Sequence, residues 1–146
     1  MSPTRPPRHK AVLIAILQSA DRLRRRGEAL FAPHDITLQQ FNVLRILRGA
    51  RPEGLCTLTI AQRMIEQTPG ITRLIDRLEQ KGLVRRVRSA EDRRQVWCRI
   101  TPAGERLLER LDDPVDAFDR AAVRGLSPAD QDRLTALLGQ LQEEPG

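Results

Sequence analysis

The stretch that decides the fold covers residues 68–101 and reads TPGITRLIDRLEQKGLVRRVRSAEDRRQVWCRIT. Thr68 is a suitable N-cap and Pro69 suits a first helical position, so we predict that a helix starts here. Apolar residues then recur at helical spacing and predict one buried stripe, formed by Ile71, Leu74, Ile75 and Leu78. The opposite face is polar and carries Thr72, Arg73, Asp76, Arg77 and Gln80.

Two short strands are predicted after this helix, which ends at Gly82. They cover residues 83–88 and 95–100 and are joined by a turn. Arginines crowd the strands and the tip of this hairpin, at Arg85, Arg86, Arg88, Arg93 and Arg94. An arginine tip suits the narrow, negative minor groove of duplex DNA. The polar face of the preceding helix suits contacts with base edges and phosphates in a major groove.

Four segments of the sequence together resemble the recognition helix, wing and exit of the MarR family. They are ITRLIDRLE (71–79), KGLVRR (81–86), DRR (92–94) and ITPAG (100–104). That family consists of winged helix-turn-helix transcriptional regulators. The resemblance implies a mostly α fold with a small β-hairpin wing.

The resemblance also implies how the chain is organised. Residues 1–146 would form a single MarR-type domain, with a winged helix-turn-helix DNA-binding lobe at about 37–101. Helices at about 8–31 and 102–142 would form the dimerisation part. For the first of these helices, periodicity alone leaves core packing and a dimer interface equally open, and the resemblance favours the interface.

Composition limits the classes of function. The net charge of +6 and the sequence pI near 10.8 point to an anionic partner such as nucleic acid. We predict no enzyme, because the sequence contains no Ser/His/Asp grouping, no phosphate-binding glycine loop and no metal-ligand spacing. Cys56 and Cys98 belong to no C-x-x-C motif, so no metal site and no cofactor are predicted. The apolar run at 11–17 is too short to span a membrane, which favours a soluble, cytoplasmic protein.

Several local features are also predicted. Thr37 and Gln40 form a capping box for a helix at 38–48. Thr57 or Thr59 should cap the short helix that precedes the recognition helix. Pro114 should kink or split the helix that starts at 101–102, near residue 112.

Each candidate site residue has a predicted role. At or near base edges and phosphates we expect Thr68, Pro69, Gly70, Thr72, Arg73 and Arg77. Arg93 and Arg94 at the wing tip would reach the minor groove, while Arg86 and Arg88 would mostly neutralise phosphate. Asp76 and Asp92 are predicted to be structural supports. Asp92 would hold the wing arginines or pair with the recognition helix, and Asp76 would orient an arginine rather than accept from a cytosine amine.

Three residues keep open alternatives. Cys56 is either a structural thiol or a redox sensor, and the structural role is favoured because nothing basic adjoins it. His34 is a loop residue rather than a ligand or pH sensor. Trp97 either covers the sheet or lines a ligand pocket, and packing is the safer interpretation.

The main hypothesis is a homodimeric, sequence-specific transcriptional regulator that binds a palindromic operator in double-stranded DNA. By resemblance, it would be a repressor that a small, often aromatic or phenolic effector releases between the dimer helices and the DNA lobe; no ligand-binding residue is predicted. The alternative is an architectural DNA-binding protein of low sequence specificity without an effector.

Overall fold

The computed structural model of the chain describes residues 3–141. Within them lie six α-helices: α1 (Arg8–Phe31), α2 (Leu38–Gly49), α3 (Thr57–Arg63), α4 (Ile71–Gln80), α5 (Pro102–Ala122) and α6 (Pro128–Gly139). The three strands are β1 (Leu55–Cys56), β2 (Val84–Arg88) and β3 (Val96–Ile100), and a 3₁₀ turn (Ala32–His34) joins α1 to α2. The prediction of a mostly α fold with a small β-hairpin is confirmed.

The hydrophobic core lies where α2, α4 and α5 meet the sheet. Its fully buried side chains are mainly aliphatic, as the scarcity of aromatic residues requires; they include Val43, Leu44, Leu47, Ile60, Ile75, Leu78, Leu108 and Leu111. Burial of one such side chain contributes roughly 1.5 to 3 kcal/mol. At one end of the core, the rings of Phe31 and Phe41 stack with centroids 4.5 Å apart, which ties α1 to α2.

The three strands form an antiparallel sheet in the order β1-β3-β2. Cys98 in the central strand pairs with Leu55 on one side and with Arg86 on the other. Gly54 enters β1 with φ +85°, and a Cβ atom there would collide with the carbonyl oxygen of Cys98. Only glycine fits this approach, so β1 fastens the base of the hairpin to the rest of the domain.

The starts of the first three helices of the DNA-binding lobe differ in how well the sequence predicted them. The capping box of α2 is confirmed, because Thr37 Oγ1 accepts from Gln40 N at 3.1 Å and Gln40 Oε1 accepts from Thr37 N at 3.0 Å. The prediction that Thr57 or Thr59 caps α3 is wrong. Cys56 is the N-cap, since β1 passes directly into the helix without an intervening loop.

The recognition helix α4 begins at Ile71, so the predicted start at Thr68 and Pro69 is wrong. Gly70 is the N-cap and has a left-handed backbone with φ +77°, which separates Pro69 from the helical run. The Thr68 hydroxyl instead donates a hydrogen bond to the carbonyl oxygen of Glu66 at 3.2 Å. Residues 68–70 are therefore an entry loop to α4.

Pro114 does not split α5, which continues from Pro102 to Ala122. The proline removes one backbone hydrogen bond, but the buried Leu107, Leu108 and Leu111 hold the preceding turns against the core. After α5, Ser127 caps α6 by accepting from Asp130 N at 3.1 Å.

The predicted C-terminal boundary at 142 lies outside the described residues. None of the helices found in residues 3–141 combines the length and the hydropathy that a membrane crossing needs.

Candidate nucleic-acid interface

The recognition helix α4 has one buried and one exposed face. Ile75 and Leu78 are completely buried, while Thr72, Arg73 and Arg77 are exposed. The exposed face therefore presents a hydroxyl and two guanidinium groups on a helix whose opposite side is fixed in the core. These groups are donors suited to phosphate oxygens and to the acceptors on guanine.

The entry loop extends this exposed surface. Pro69 and Gly70 are exposed and Thr68 is partly buried. Within the described part of the chain, no atom lies within 4 Å of the position that a Cβ atom on Gly70 would occupy. The structure thus places all six predicted recognition residues on the entry loop and on the exposed face of α4, from its first turn to its last. Three of them lie on the loop rather than on the helix.

Arg86 on β2 is the centre of a polar cluster that joins the wing to α4. Its guanidinium lies 2.5 Å from Asp76 Oδ1 and 3.3 Å from Glu79 Oε1, and it donates to the carbonyl oxygen of Thr72 at 3.3 Å. The backbone N–H of Arg86 also donates to Glu79 Oε2 at 3.0 Å. We call these four residues the Arg86 cluster.

The carboxylates of the Arg86 cluster stabilise the charged form of Arg86. Partial burial lowers the pKa of Arg86, but the hydrogen bond and the charge of Asp76 outweigh it, so the pKa lies above its usual value. The Arg86 side chain is 24% exposed. An arginine held by two carboxylates has little free charge for phosphate, so a structural role is favoured over the predicted phosphate contact.

Sequence reasoning missed Glu79 as a member of the Arg86 cluster. The available signal was its position three residues after Asp76, which places both carboxylates on one side of the helix. What the sequence could not show was that β2 packs against α4 so that the Arg86 guanidinium meets both carboxylates.

The wing tip is held by hydrogen bonds within the tip itself. Asp92 Oδ1 accepts from Arg94 N at 3.0 Å, and the hydroxyl of Ser89 accepts from the backbone N–H groups of Glu91 and Asp92 at 3.2 and 3.3 Å. Asp92 therefore supports the backbone of the turn, rather than the arginine side chain or the recognition helix that was expected to be its partner. The side chains of Arg93 and Arg94 are exposed, as is Arg88 at the end of β2.

The two cysteines lie in different environments on adjacent strands. Cys98 is completely buried, and burial raises the pKa of its thiol. Cys56 is partly exposed, and a hydrogen bond with the Thr59 hydroxyl, at 3.1 Å, lowers the pKa of its thiol. Register places Cys56 opposite Trp97 rather than opposite Cys98.

A largely apolar cavity of about 600 Å³ lies between α1, α2 and α5. Among its lining residues are Leu23, Leu30, Phe31, Phe41, Val115 and Phe118, together with the polar Arg24, Asn42 and Arg45. Ile65 and Glu66, from the loop between α3 and α4, close one side, and Glu66 pairs with Arg24 at 3.2 Å. We call this the α1–α5 cavity; Trp97 is not part of its lining.

Comparisons with known proteins agree with this architecture. The model of the MarR family matches residues 36–96, which include the recognition helix and most of the wing. The chain is 26% identical over 130 residues to the homoprotocatechuate degradative operon repressor of Escherichia coli, covering 89% of this chain and 86% of that protein.

Two solved structures are similar over almost the whole chain. A MarR transcription factor from Planctomyces limnophilus is 36% identical, with a TM-score of 0.71, covering 94% of this chain and 98% of the other. A mutant of E. coli MarR in complex with operator DNA is 24% identical, with a TM-score of 0.81, covering 91% and 94% respectively. That second likeness supports the fold alone.

The relatives are named as transcriptional regulators, which are not enzymes. The helix-turn-helix, the arginine-rich wing and this similarity together show the family. The chain belongs to the MarR family of DNA-binding winged helix-turn-helix transcriptional regulators.

Proposed function

We propose that the chain is a homodimeric regulator, a repressor in its DNA-bound form, that binds a palindromic operator in double-stranded DNA by its sequence. The observation that supports sequence reading is the exposed face of α4, where Thr72, Arg73 and Arg77 combine hydroxyl and guanidinium groups. A pure phosphate binder would need only charge. Because the proposed partner is DNA, we also propose that the protein acts in the cytoplasm.

Exposed apolar side chains support the homodimer. On α1, Leu13 and Leu17 are 55% and 69% exposed, and on α6, Leu134 and Leu137 are 43% and 49% exposed. Rows of exposed leucines on two helices are characteristic of an interface between subunits. A two-fold dimer would set its recognition helices into successive major grooves about 34 to 36 Å apart.

The α1–α5 cavity supports a small-molecule effector with an apolar, aromatic body. Asn42 lines the cavity, is only 6% exposed, and has no side-chain hydrogen bond to any residue in the range 3–141. Because no polar side-chain atom in that range is both fully buried and unpartnered, the Asn42 amide keeps some accessible surface, and we place that surface in the cavity that Asn42 lines. It is therefore available to a phenolic hydroxyl or a carboxylate.

The cavity also offers a route from effector to DNA. Its wall includes Glu66, in the loop that leads into the entry loop of α4, and Glu66 pairs with Arg24 of α1. A ligand that binds Arg24 more strongly than Glu66 does would loosen this link and change the positions of the two recognition helices. A differential affinity of about 1 to 3 kcal/mol between the two states is typical of such coupling.

The decisive experiment is retention of genomic DNA fragments by the purified protein at about 150 mM salt, where non-specific phosphate contacts are weakened, followed by sequencing. We expect an inverted repeat with half-sites one helical turn apart. Arg73→Ala and Arg77→Ala should each cost about 1 to 3 kcal/mol on that repeat and relax its specificity. Retention of DNA without an enriched motif, with equal losses on random duplex, would instead indicate the architectural binder.

The effector is tested separately by thermal unfolding with phenols and aromatic carboxylates. We expect at least one compound to raise Tm and weaken operator binding, and Asn42→Leu to abolish both effects while binding the operator normally. A compound that acts equally on Asn42→Leu does not use the cavity as proposed.

A further inference from the structure

Three surface depressions beside the recognition helix share lining residues and adjoin one another in a row. The first is lined by the entry loop, Arg73 and Arg77, and it shares Thr37, Gln40 and Arg77 with the second. The second shares Asp35, Ile36 and Lys81 with the third. The third ends on α5, at Arg106 and Arg110. We call the whole the flank groove; it leads from the start of α4, past its end, onto α5.

Basic side chains follow the flank groove along its full length. Arg73, Arg77 and Lys81 are spaced four residues apart, so they lie along one side of α4 and its last turn, about 6 Å apart along the axis. Arg106 and Arg110 repeat this spacing on α5. The lining contains five basic side chains and one acidic side chain, Asp35, besides the histidine His34.

The arginines of the flank groove are free to bind an anion. Among residues 3–141, no ion pair involves Arg73, Arg77, Arg106 or Arg110. On the same helix α5, by contrast, Arg120 is paired with Asp116 at 2.7 Å. An ordinary solvated helix face would mix its charges in this second way, with acids four residues from bases.

Lys81 lines both the second and the third depressions of the flank groove. Its ammonium group donates to the backbone carbonyl oxygen of Asp35 and to Gln40 Oε1, and it lies 3.8 Å from Asp35 Oδ2. The Asp35 carboxylate is 97% exposed, so water screens its repulsion of a passing anion. The single acid therefore does not close the groove to a phosphate.

We propose that the flank groove carries the phosphate backbone of one DNA strand beyond the end of the recognition helix, so that Arg106 and Arg110 of α5 are DNA contacts. This inference rests on the proposed DNA-binding function. It gives α5, expected only to build the dimer, a second role. A linear series of open depressions fits a polymer of evenly spaced phosphates better than a single small anion, which would call for one enclosed site.

The test measures operator affinity against salt concentration for the full-length protein. Log K for DNA binding falls as log salt concentration rises, and each lost phosphate contact reduces the magnitude of this slope by about 0.9. Because a dimer would lose one contact per subunit, we expect Arg106→Ala and Arg110→Ala each to lower the slope by about 1.8, on the operator and on random duplex alike. The double variant should lower it by about 3.6.

Arg124→Ala is the matched control, because Arg124 is an exposed arginine beyond the end of α5 and outside the flank groove. It should keep the wild-type slope. All variants should keep the wild-type Tm within about 2 °C, since substitutions of exposed, unpaired side chains rarely change stability. Chemical ethylation of single phosphates should block wild-type binding at positions where the double variant is indifferent.

Three results would overturn the proposal while leaving DNA binding intact. The first is a wild-type salt slope in the double variant, and the second is an equal loss of slope in Arg124→Ala. The third is a rise of Tm with inorganic phosphate that requires Arg106 and Arg110, although the double variant keeps the wild-type slope. The last would assign the groove to a small anion. Failure of the wild-type protein to bind any duplex would overturn the proposed function as well.

Discussion

Removal of the Arg86 guanidinium should loosen the wing from the recognition helix. In Arg86→Ala, the carboxylates of Asp76 and Glu79 lose their shared partner and the carbonyl oxygen of Thr72 loses a donor. The backbone hydrogen bond from residue 86 to Glu79 can remain, so the strand stays in place while its attachment weakens.

The expected loss of stability in Arg86→Ala follows from the solvent exposure of its two carboxylate partners. The carboxylates of Asp76 and Glu79 are 50% and 42% exposed, so solvent screens both pairs. Each pair then contributes roughly 0.2 to 1 kcal/mol, and the hydrogen bond to Thr72 adds about 0.5 to 1.5 kcal/mol. We expect a loss of about 1 to 2 kcal/mol in the free energy of unfolding, which lowers Tm by about 3 to 6 °C at fixed protein concentration.

Thermal and urea unfolding measure this loss, and a double-mutant cycle with Asp76→Ala should give a coupling of about 0.5 to 1 kcal/mol. Arg88→Ala is the control: this exposed arginine on the same strand takes part in no ion pair within the described part of the chain. Its stability should change by less than about 0.5 kcal/mol. The reasoning is refuted if Arg86→Ala is as stable as Arg88→Ala and lowers the salt slope of DNA binding as Arg88→Ala does, because Arg86 would then be a phosphate contact.

Three further predictions address other parts of the molecule. Gly104→Ala should cost about 1 to 3 kcal/mol in urea unfolding, because its Cβ atom would lie 2.5 Å from the carbonyl oxygen of Leu83; an unchanged midpoint would contradict this packing. With a thiol reagent at neutral pH, Cys56 should react in the folded protein, and Thr59→Ala should slow the reaction because the hydrogen bond that lowers the pKa of the Cys56 thiol is lost. Leu17→Glu should shift the protein from dimer to monomer in analytical ultracentrifugation, since Leu17 is 69% exposed in the single chain; a persistent dimer would exclude this face of α1 from the interface.

The sequence predicted the elements that depend on local pattern. Helical periodicity identified the recognition helix, and the Thr37 capping box located the start of α2, because both signals involve residues within one or two turns. The same local rules failed at Thr68, where the left-handed Gly70 ends the entry loop. The split that was one alternative at Pro114 does not occur, because core packing of α5 outweighs one missing hydrogen bond.

The candidate site was predictable as a set of residue types and less so as a set of contacts. Arg73 and Arg77 could be assigned to the exposed face from spacing alone. The partners of Arg86 lie 7 to 14 residues away on another element, so only the packed hairpin brings them together. The cavity and the flank groove join segments that are far apart in the chain, and no sequence pattern marks their shared walls.

The wing has a fixed base and a self-contained tip. The base is pinned by β1 and by the tight approach at Gly54, whereas the hydrogen bonds of the tip begin and end within residues 89–95. Residues can therefore be inserted, deleted or exchanged in the tip without disturbing the sheet below it. Changes confined to this one turn could therefore adapt the wing to minor grooves of different width, while the recognition helix and the rest of the domain stay the same.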